Sequence, residues 1–161
     1  MKRELNDNNE FLAIIDATPL VSVDLILKDD RQAVLLGRRV NRPAKGYWFV
    51  PGGRIQKNET IENAIKRVSN TELGICLSMA DGKLLGVFDH IYEDNFFDVA
   101  GINTHYVVLA YVFTMNTRLT LTKDDQHSEM KWWPADALLN SPDVHPNTKA
   151  YFTMRAKERG V

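Results

Sequence analysis

The segment from Thr60 to Leu73 constrains this chain more than any other, because its apolar spacing predicts a helix whose buried face carries a charge. At roughly 100° per residue, Ala64, Ile65 and Val68 fall within about 60° of Ile61, an apolar stripe of ordinary width. Glu72 falls about 20° from Ile61, in the middle of that stripe. Glu62, Asn63, Lys66 and Asn70 occupy the other side. A carboxylate facing a core requires a partner. At the helix C-terminus, where the dipole repels negative charge, a nearby cation is doubly demanded. An ion pair with arginine, or a last turn that frays into solvent, meets the demand. So does a divalent metal, because one carboxylate sharing a site with phosphate oxygens and water is a usual way to hold Mg²⁺.

A second constellation lies just upstream. Arg38, Arg39, Arg42, Lys45 and Arg54 fall in a run that contains no Asp or Glu, interleaved with Pro43, Gly46, Tyr47, Trp48, Pro51, Gly52 and Gly53. Such a run is often a solvated loop. Arginine forks also match phosphate oxygens, and a glycine pair lets backbone approach a ligand closely. Because the run ends at the glycines that lead to the helix bearing Glu72, the two features together predict a site for a metal-bound diphosphate.

The rest of the chain reads as alternating strands and helices. FLAII suits a short helix. PLVSVDLIL, with Lys28 to Arg31 as a turn, and AVLLGRR read as a hairpin. YWFV reads as a strand stopping at Pro51, Gly52 and Gly53, while KLLGVFDHIY and THYVVLAYVF are two further strands around a polar loop from Glu93 to Asn103. MKWWP is a last short strand, and helical pieces follow around Ala135 to Leu139 and from near Asn147, the latter carrying Ala150, Tyr151 and Met154. The expectation is α+β: one domain over residues 1–161, with a mixed sheet sandwiched between helices. Trp132, Trp133 and Cys76 are expected in the core, and His145 on a surface loop.

Charge and cysteine content bound the partners. With 20 Lys+Arg against 21 Asp+Glu, a net charge of −1 gives no global basic field, which argues against long nucleic acid as a partner. One cysteine forms no intrachain disulfide, the N-terminus lacks the apolar run of a signal peptide, and no apolar run approaches the ~20 residues of a membrane span. A cytoplasmic location, with no membrane partner, is expected.

The run from Gly53 to Ile75, GRIQKNETIENAIKRVSNTELGI, resembles the Nudix box, G-x5-E-x7-R-E-U-x-E-E-x-G-U with U aliphatic. Gly53, Glu59, Arg67, Glu72, Gly74 and Ile75 match; Val68 and Thr71 replace glutamates and Ser69 an aliphatic residue. Ordinary members use those glutamates to gather several metal ions around a phosphorus atom under attack. Over nearly its whole length the chain is similar to a branch that shows the same loss, the GDP-mannose mannosyl hydrolases. That resemblance is carried by TPLVS-x-D from Thr18, LLG-x-R from Leu35, NRPA-x-GYWFVPGGR from Asn41, DNF from Asp94, THYVVL from Thr104 and QH at Gln126 and His127.

The resemblance implies the Nudix fold and hydrolysis of GDP-mannose, and of GDP-glucose, to GDP and free sugar, with water inverting the anomeric carbon. It implies one Mg²⁺ per site, with Mn²⁺ able to substitute, held by Glu72, the Gly52 carbonyl and Gln126. His127 matches the general base. Arg39, Arg54 and Tyr106 match residues that bind or neutralise the departing diphosphate, Arg67 supports the site, and Asp24 and His90 line the sugar side. A homodimer is implied as well. Two rival readings stay open: a pyrophosphohydrolase giving GMP and mannose 1-phosphate, and a non-catalytic nucleotide-sugar-binding module.

Overall fold

A computed structural model describes residues 8–115 and 127–153. Helix α1 (Asn8–Ala17) leads into strand β1 (Leu20–Lys28), which turns back through Asp29 into β2 (Val34–Arg39). The Asp29 carboxylate fixes the turn by accepting from Arg31 N at 2.9 Å and Ala33 N at 2.8 Å. Strands β3 (Trp48–Phe49) and β4 (Gly52–Arg54) precede helix α2 (Ile61–Leu73). Strands β5 (Lys83–Tyr92), β6 (Thr104–Thr114) and β7 (His127–Trp133) follow. Helices α3 (Ala135–Asn140) and α4 (Pro146–Lys149) and a 3-10 turn at Ala150–Phe152 complete the described order.

The strands form one mixed sheet in the order β3-β2-β1-β6-β5, with β4 added to β1 and β7 to β2. β1 and β6 run parallel from Leu20↔Tyr106 to Lys28↔Thr114, and the other named pairs are antiparallel. The alternation of β1 divides the core. Val23, Leu25 and Leu27 pack with Ala64, Ile65 and Val68 of α2. On the other face Ile26 packs with Leu138 of α3, Val144, Tyr151 and Phe152. A strand buried on both faces needs helices on both sides, which is the sandwich expected from the sequence. Among the described residues, no helix is long and apolar enough to cross a membrane.

Helix α2 begins where the sequence places it. The Thr60 side chain caps it by accepting from Asn63 N at 3.1 Å, and Gly74 closes it in the left-handed region at φ 68°. Glu72 is buried with Ala64, Ile65 and Val68, whereas Ile61 is exposed, so the buried stripe starts one turn later than its periodicity suggested. Cys76 is exposed, contrary to the expected core position. Beyond the Gly74 cap the chain turns Leu77 inward instead, its N–H held by Ser69 Oγ at 2.9 Å.

Gly52 and Gly53 are strand residues, not the strand stop that their composition suggested: Asp24 pairs with Gly52 and Val23 with Gly53. The strand needs glycine for closeness. A Cβ on Gly52 would press on the Asp24 side chain and lie 2.8 Å from the Val23 carbonyl, and one on Gly53 would sit 2.8 Å from Val68 Cγ2. Helix α2 therefore rides directly on β4. Gly53→Ala should cost about 1–3 kcal/mol in urea unfolding. Combining it with Val68→Ala should give a coupling of at least ~1 kcal/mol, whereas strictly additive losses would show that this contact is not the constraint.

Candidate active site

A cleft of about 410 Å³ opens on the sheet face opposite α2. Its floor is built by side chains that pairing brings onto one surface: Ser22 and Asp24 from β1, Tyr106 and Val108 from β6, and His90 and Tyr92 from β5. Phe11 and Ile15 of α1 form one wall, Gly52, Gly53 and Arg54 of β4 another, and Arg42 and Phe96 reach in from two loops.

Asp24 is buried at 9% exposure. Its Oδ2 accepts from the Tyr151 hydroxyl at 2.6 Å. Burial pushes its carboxyl from 3.8 up to about 7, against the lowering effects of the Tyr151 hydrogen bond and the Arg39 charge. His90 lies in the same buried group, with Nε2 3.3 Å from the Tyr151 hydroxyl. Burial, and then the neighbouring His145, pull His90 down to about 4, with Asp89 opposing. Tyr92 is pushed up to about 12, mainly by burial, and Tyr106 is raised for the same reason while Arg39 and Arg54 oppose the shift. Near neutral pH the cleft thus holds neutral histidine and phenol groups, which suit hydroxyl recognition.

The basic run divides on folding. Successive residues of β2 diverge, so Arg39 lines the cleft while Arg38 bonds the Gly46 carbonyl at 3.1 Å and approaches Glu129 at 3.8 Å. Arg39 is steadied by Nε donating to the Pro43 carbonyl at 3.0 Å and by the Phe49 ring 5.8 Å away. Arg54 lies 4.8 Å from the Phe11 ring centroid. Neither Arg39 nor Arg54 forms a salt bridge among the described residues. Arg42 differs, with ion pairs to Asp94 at 3.1 Å and Asp98 at 3.6 Å that join its loop to the Glu93–Asn103 loop.

Arg67 and Glu72 do not line the cleft. Arg67 makes a fork with Glu59, Nε to Oε2 at 2.7 Å and Nη2 to Oε1 at 2.9 Å, and also donates to the Arg54 carbonyl at 2.8 Å. The Glu59 hydrogen bonds raise the Arg67 pKa above its ordinary value. Arg67 thus ties the loop before α2 to the strand carrying Arg54. Glu72 is 2% exposed and sits one turn beyond Val68, which meets Gly53. Among the described residues no group of three or more His, Cys, Asp or Glu could hold a metal. One buried carboxylate fits a hard cation whose other ligands are carbonyl, amide and phosphate oxygens, and does not fit a cage made by carboxylates alone.

The cleft therefore gathers Asp24, Arg39, Gly52, Arg54, His90 and Tyr106 from the residues singled out in the sequence. The backbone of His127 belongs to β7 and pairs with Arg39, where a polar loop was expected, because β2 offers it an antiparallel partner. Gln126 and the side chain of His127 lie outside the described residues. His145, expected on the surface, stacks on Phe49 at 4.7 Å and has its pKa lowered to about 4 by burial and then by Arg39. Sequence reasoning gave no role to two contributors, one of them inside the DNF motif. Asn95 is fully buried and holds the Glu93–Asn103 loop, its amide donating to Val99 O and Ile102 O and its carbonyl accepting from Phe97 N and Val99 N. Tyr151 gave no signal beyond its place in the last helical piece.

The NUDIX domain profile matches residues 18–155. Among known proteins, the low-salt glycan biosynthesis protein Agl8 of Haloferax volcanii is 43% identical over 125 residues, spanning 77% of this chain and 76% of that protein. A MutT NUDIX hydrolase from Burkholderia pseudomallei superposes with a TM-score of 0.67 at 28% identity, covering 89% of this chain and 99% of that one. The NUDIX domain of Shewanella oneidensis NrtR, solved with ADP ribose, superposes with a TM-score of 0.66 at 25% identity, covering 96% and 99%.

The Asp24 shift has a consequence for stability. The unfolded carboxyl ionises near 3.8 and the folded one near 7, so the folded state binds the extra proton between those values and loses stability as pH rises through them. The loss is on the order of a few kcal/mol. Asp24→Asn cannot ionise. Its stability relative to the wild type, followed by urea unfolding from pH 4 to pH 8, should rise across that window; parallel profiles would contradict the assignment.

Proposed function

The chain belongs to the Nudix domain family, and from that premise we propose that it hydrolyses a GDP-hexose, GDP-mannose or GDP-glucose, to GDP and free sugar. The observation that carries this reading is the cleft itself. Two guanidiniums with no salt bridge among the described residues, Arg39 and Arg54, complement a diphosphate, and beside them Asp24, His90 and Tyr92 offer hydroxyl-binding groups. Similarity to a protein named for glycan biosynthesis supports a sugar-linked substrate. The Val68 and Thr71 replacements favour attack at carbon, since the helix supplies too few carboxylates to gather several metal ions around a phosphorus atom.

In the proposed reaction a water oxygen bonds to the anomeric carbon as its bond to the β-phosphate oxygen breaks, inverting the centre and releasing GDP. The departing diphosphate is a stable anion and needs no proton from an acid, so stabilising its charge is the larger task. Arg39 and Arg54 do this directly, with Tyr106 beside them. Arg67 acts through the Arg54 carbonyl and Glu59. His127, register partner of Arg39, takes the proton of the attacking water; general-base help of this kind contributes ~10²–10⁴-fold. Glu72, the Gly52 carbonyl and Gln126 would hold Mg²⁺, which when bound supplies further positive charge to the leaving group.

Incubation with GDP-mannose and Mg²⁺ in ¹⁸O water tests the reading. Label should appear in free mannose. Label in GMP or mannose 1-phosphate would place attack at phosphorus and overturn it, and tight binding without turnover would favour a binding module. Glu72→Gln should weaken Mg²⁺ activation and lower kcat/KM by at least about 10²-fold, with the fold retained by circular dichroism.

A further inference from the structure

Asp24 and His90 line the cleft from β1 and β5, with β6 between them, and one buried side chain touches both. Tyr151, from the 3-10 turn after α4, is fully buried and does not line the cleft. Its hydroxyl reaches across to lie 2.6 Å from Asp24 Oδ2 and 3.3 Å from His90 Nε2. Its ring is wedged edge-on against Phe88 at 4.8 Å, which limits its freedom to swing away.

Proton counting fixes the polarity of this chain. A phenol has one proton to donate. Burial first, and then the charge and hydrogen bond of Asp24, hold the Tyr151 pKa well above 10, so that proton stays on oxygen. The short contact sends it to Asp24 Oδ2, a charge-assisted bond when the carboxylate is ionised. With Asp24 ionised, the phenol oxygen is left to accept, so His90 carries its proton on Nε2. With the imidazole pKa near 4, His90 is neutral and Nδ1 keeps a lone pair. Asp24 Oδ1, the atom that faces Gly52 across the cleft edge, is the acceptor that Tyr151 leaves unengaged.

We propose that Tyr151 is a positioning residue for sugar recognition, locking ionised Asp24 and neutral His90 into one donor–acceptor arrangement in which Oδ1 and Nδ1 both accept from hydroxyls of the bound hexose. Two fixed acceptors reject an epimer whose hydroxyl points elsewhere, because a buried polar group is then left unmet. The inference rests on the reading that the cleft takes a GDP-hexose. Packing alone would also bury Tyr151, but it would not require the hydroxyl.

Two measurements on the full chain decide it. Two-bond ¹H–¹⁵N correlation spectra of the ligand-free wild type, recorded well above pH 7 where Asp24 is ionised, should show His90 protonated on Nε2, and Tyr151→Phe should shift it toward a mixture of tautomers. In kinetics with GDP-mannose and GDP-glucose, which differ at C2 of the hexose, the wild type should prefer one. Tyr151→Phe should move the kcat/KM ratio toward unity by at least about tenfold while inhibition by GDP changes less than about twofold. Protonation of wild-type His90 on Nδ1 would overturn the proposal, as would a variant that loses thermal stability with an unchanged sugar ratio. Should the variant not fold, the wild-type spectrum decides alone. If the wild type turns over neither substrate, the proposed function falls, and the tautomer measurement still decides the lock.

Discussion

Burying β1 on both faces is the constraint from which the rest of the molecule follows. Its odd-numbered apolar residues, Val23, Leu25 and Leu27, meet α2, while Ile26 meets the helices and turn after β7. Asp24 lies between these layers on the second face, and a carboxylate there is tolerable only with partners. Tyr151 supplies a hydrogen bond and Arg39 a favourable charge, yet the pKa near 7 shows that they do not fully offset the loss of water. A fold that keeps such a group has placed polarity inside its own sheet, and the cleft is the space around that polarity.

β4 connects the two faces. Gly53 meets Val68 of α2, Gly52 lies against Asp24, and Arg54 offers its carbonyl to Arg67 and its side chain to the cleft. A helix carrying the buried Glu72 and a sheet face carrying Asp24 are thus held in register by three residues. Any side chain larger than hydrogen at the first two would part them. The Glu59–Arg67 fork belongs to the same device, since it holds the connection from β4 to α2 at its far end.

Local periodicity was legible in the sequence, and non-local pairing was not. The bounds of α2, the burial of Glu72 and most strands follow from patterns a few residues long. Gly52 and Gly53 were read as the stop of a strand because glycine ordinarily breaks strands, and only the approach of Val68 and Asp24 shows why glycine is needed there. The divergence of Arg38 and Arg39 could not be oriented without knowing which face of β2 the cleft occupies. Tyr151 is 127 residues from Asp24, and no local pattern announces a partner at that distance. The family resemblance named Asp24 and His90 but not the hydroxyl that joins them.

The two missing box glutamates are physically different losses. Thr71 is exposed, so that position exchanged one solvated side chain for another. Val68 is 2% exposed and meets Gly53 in the core beneath β4. Restoring glutamate at 71 alone would add a surface charge; restoring it at 68 would put a longer, charged side chain into a contact that already excludes a methyl group. The packing of β4 on α2 and the low carboxylate count of the helix are therefore one arrangement, not two independent changes. Such a helix offers few carboxylates with which to gather metal ions around a phosphorus atom, while Arg39 and Arg54 stay in the cleft with no salt bridge among the described residues. The chemistry proposed, attack at carbon with diphosphate as leaving group, is the one that makes least demand on the ligands this helix gave up.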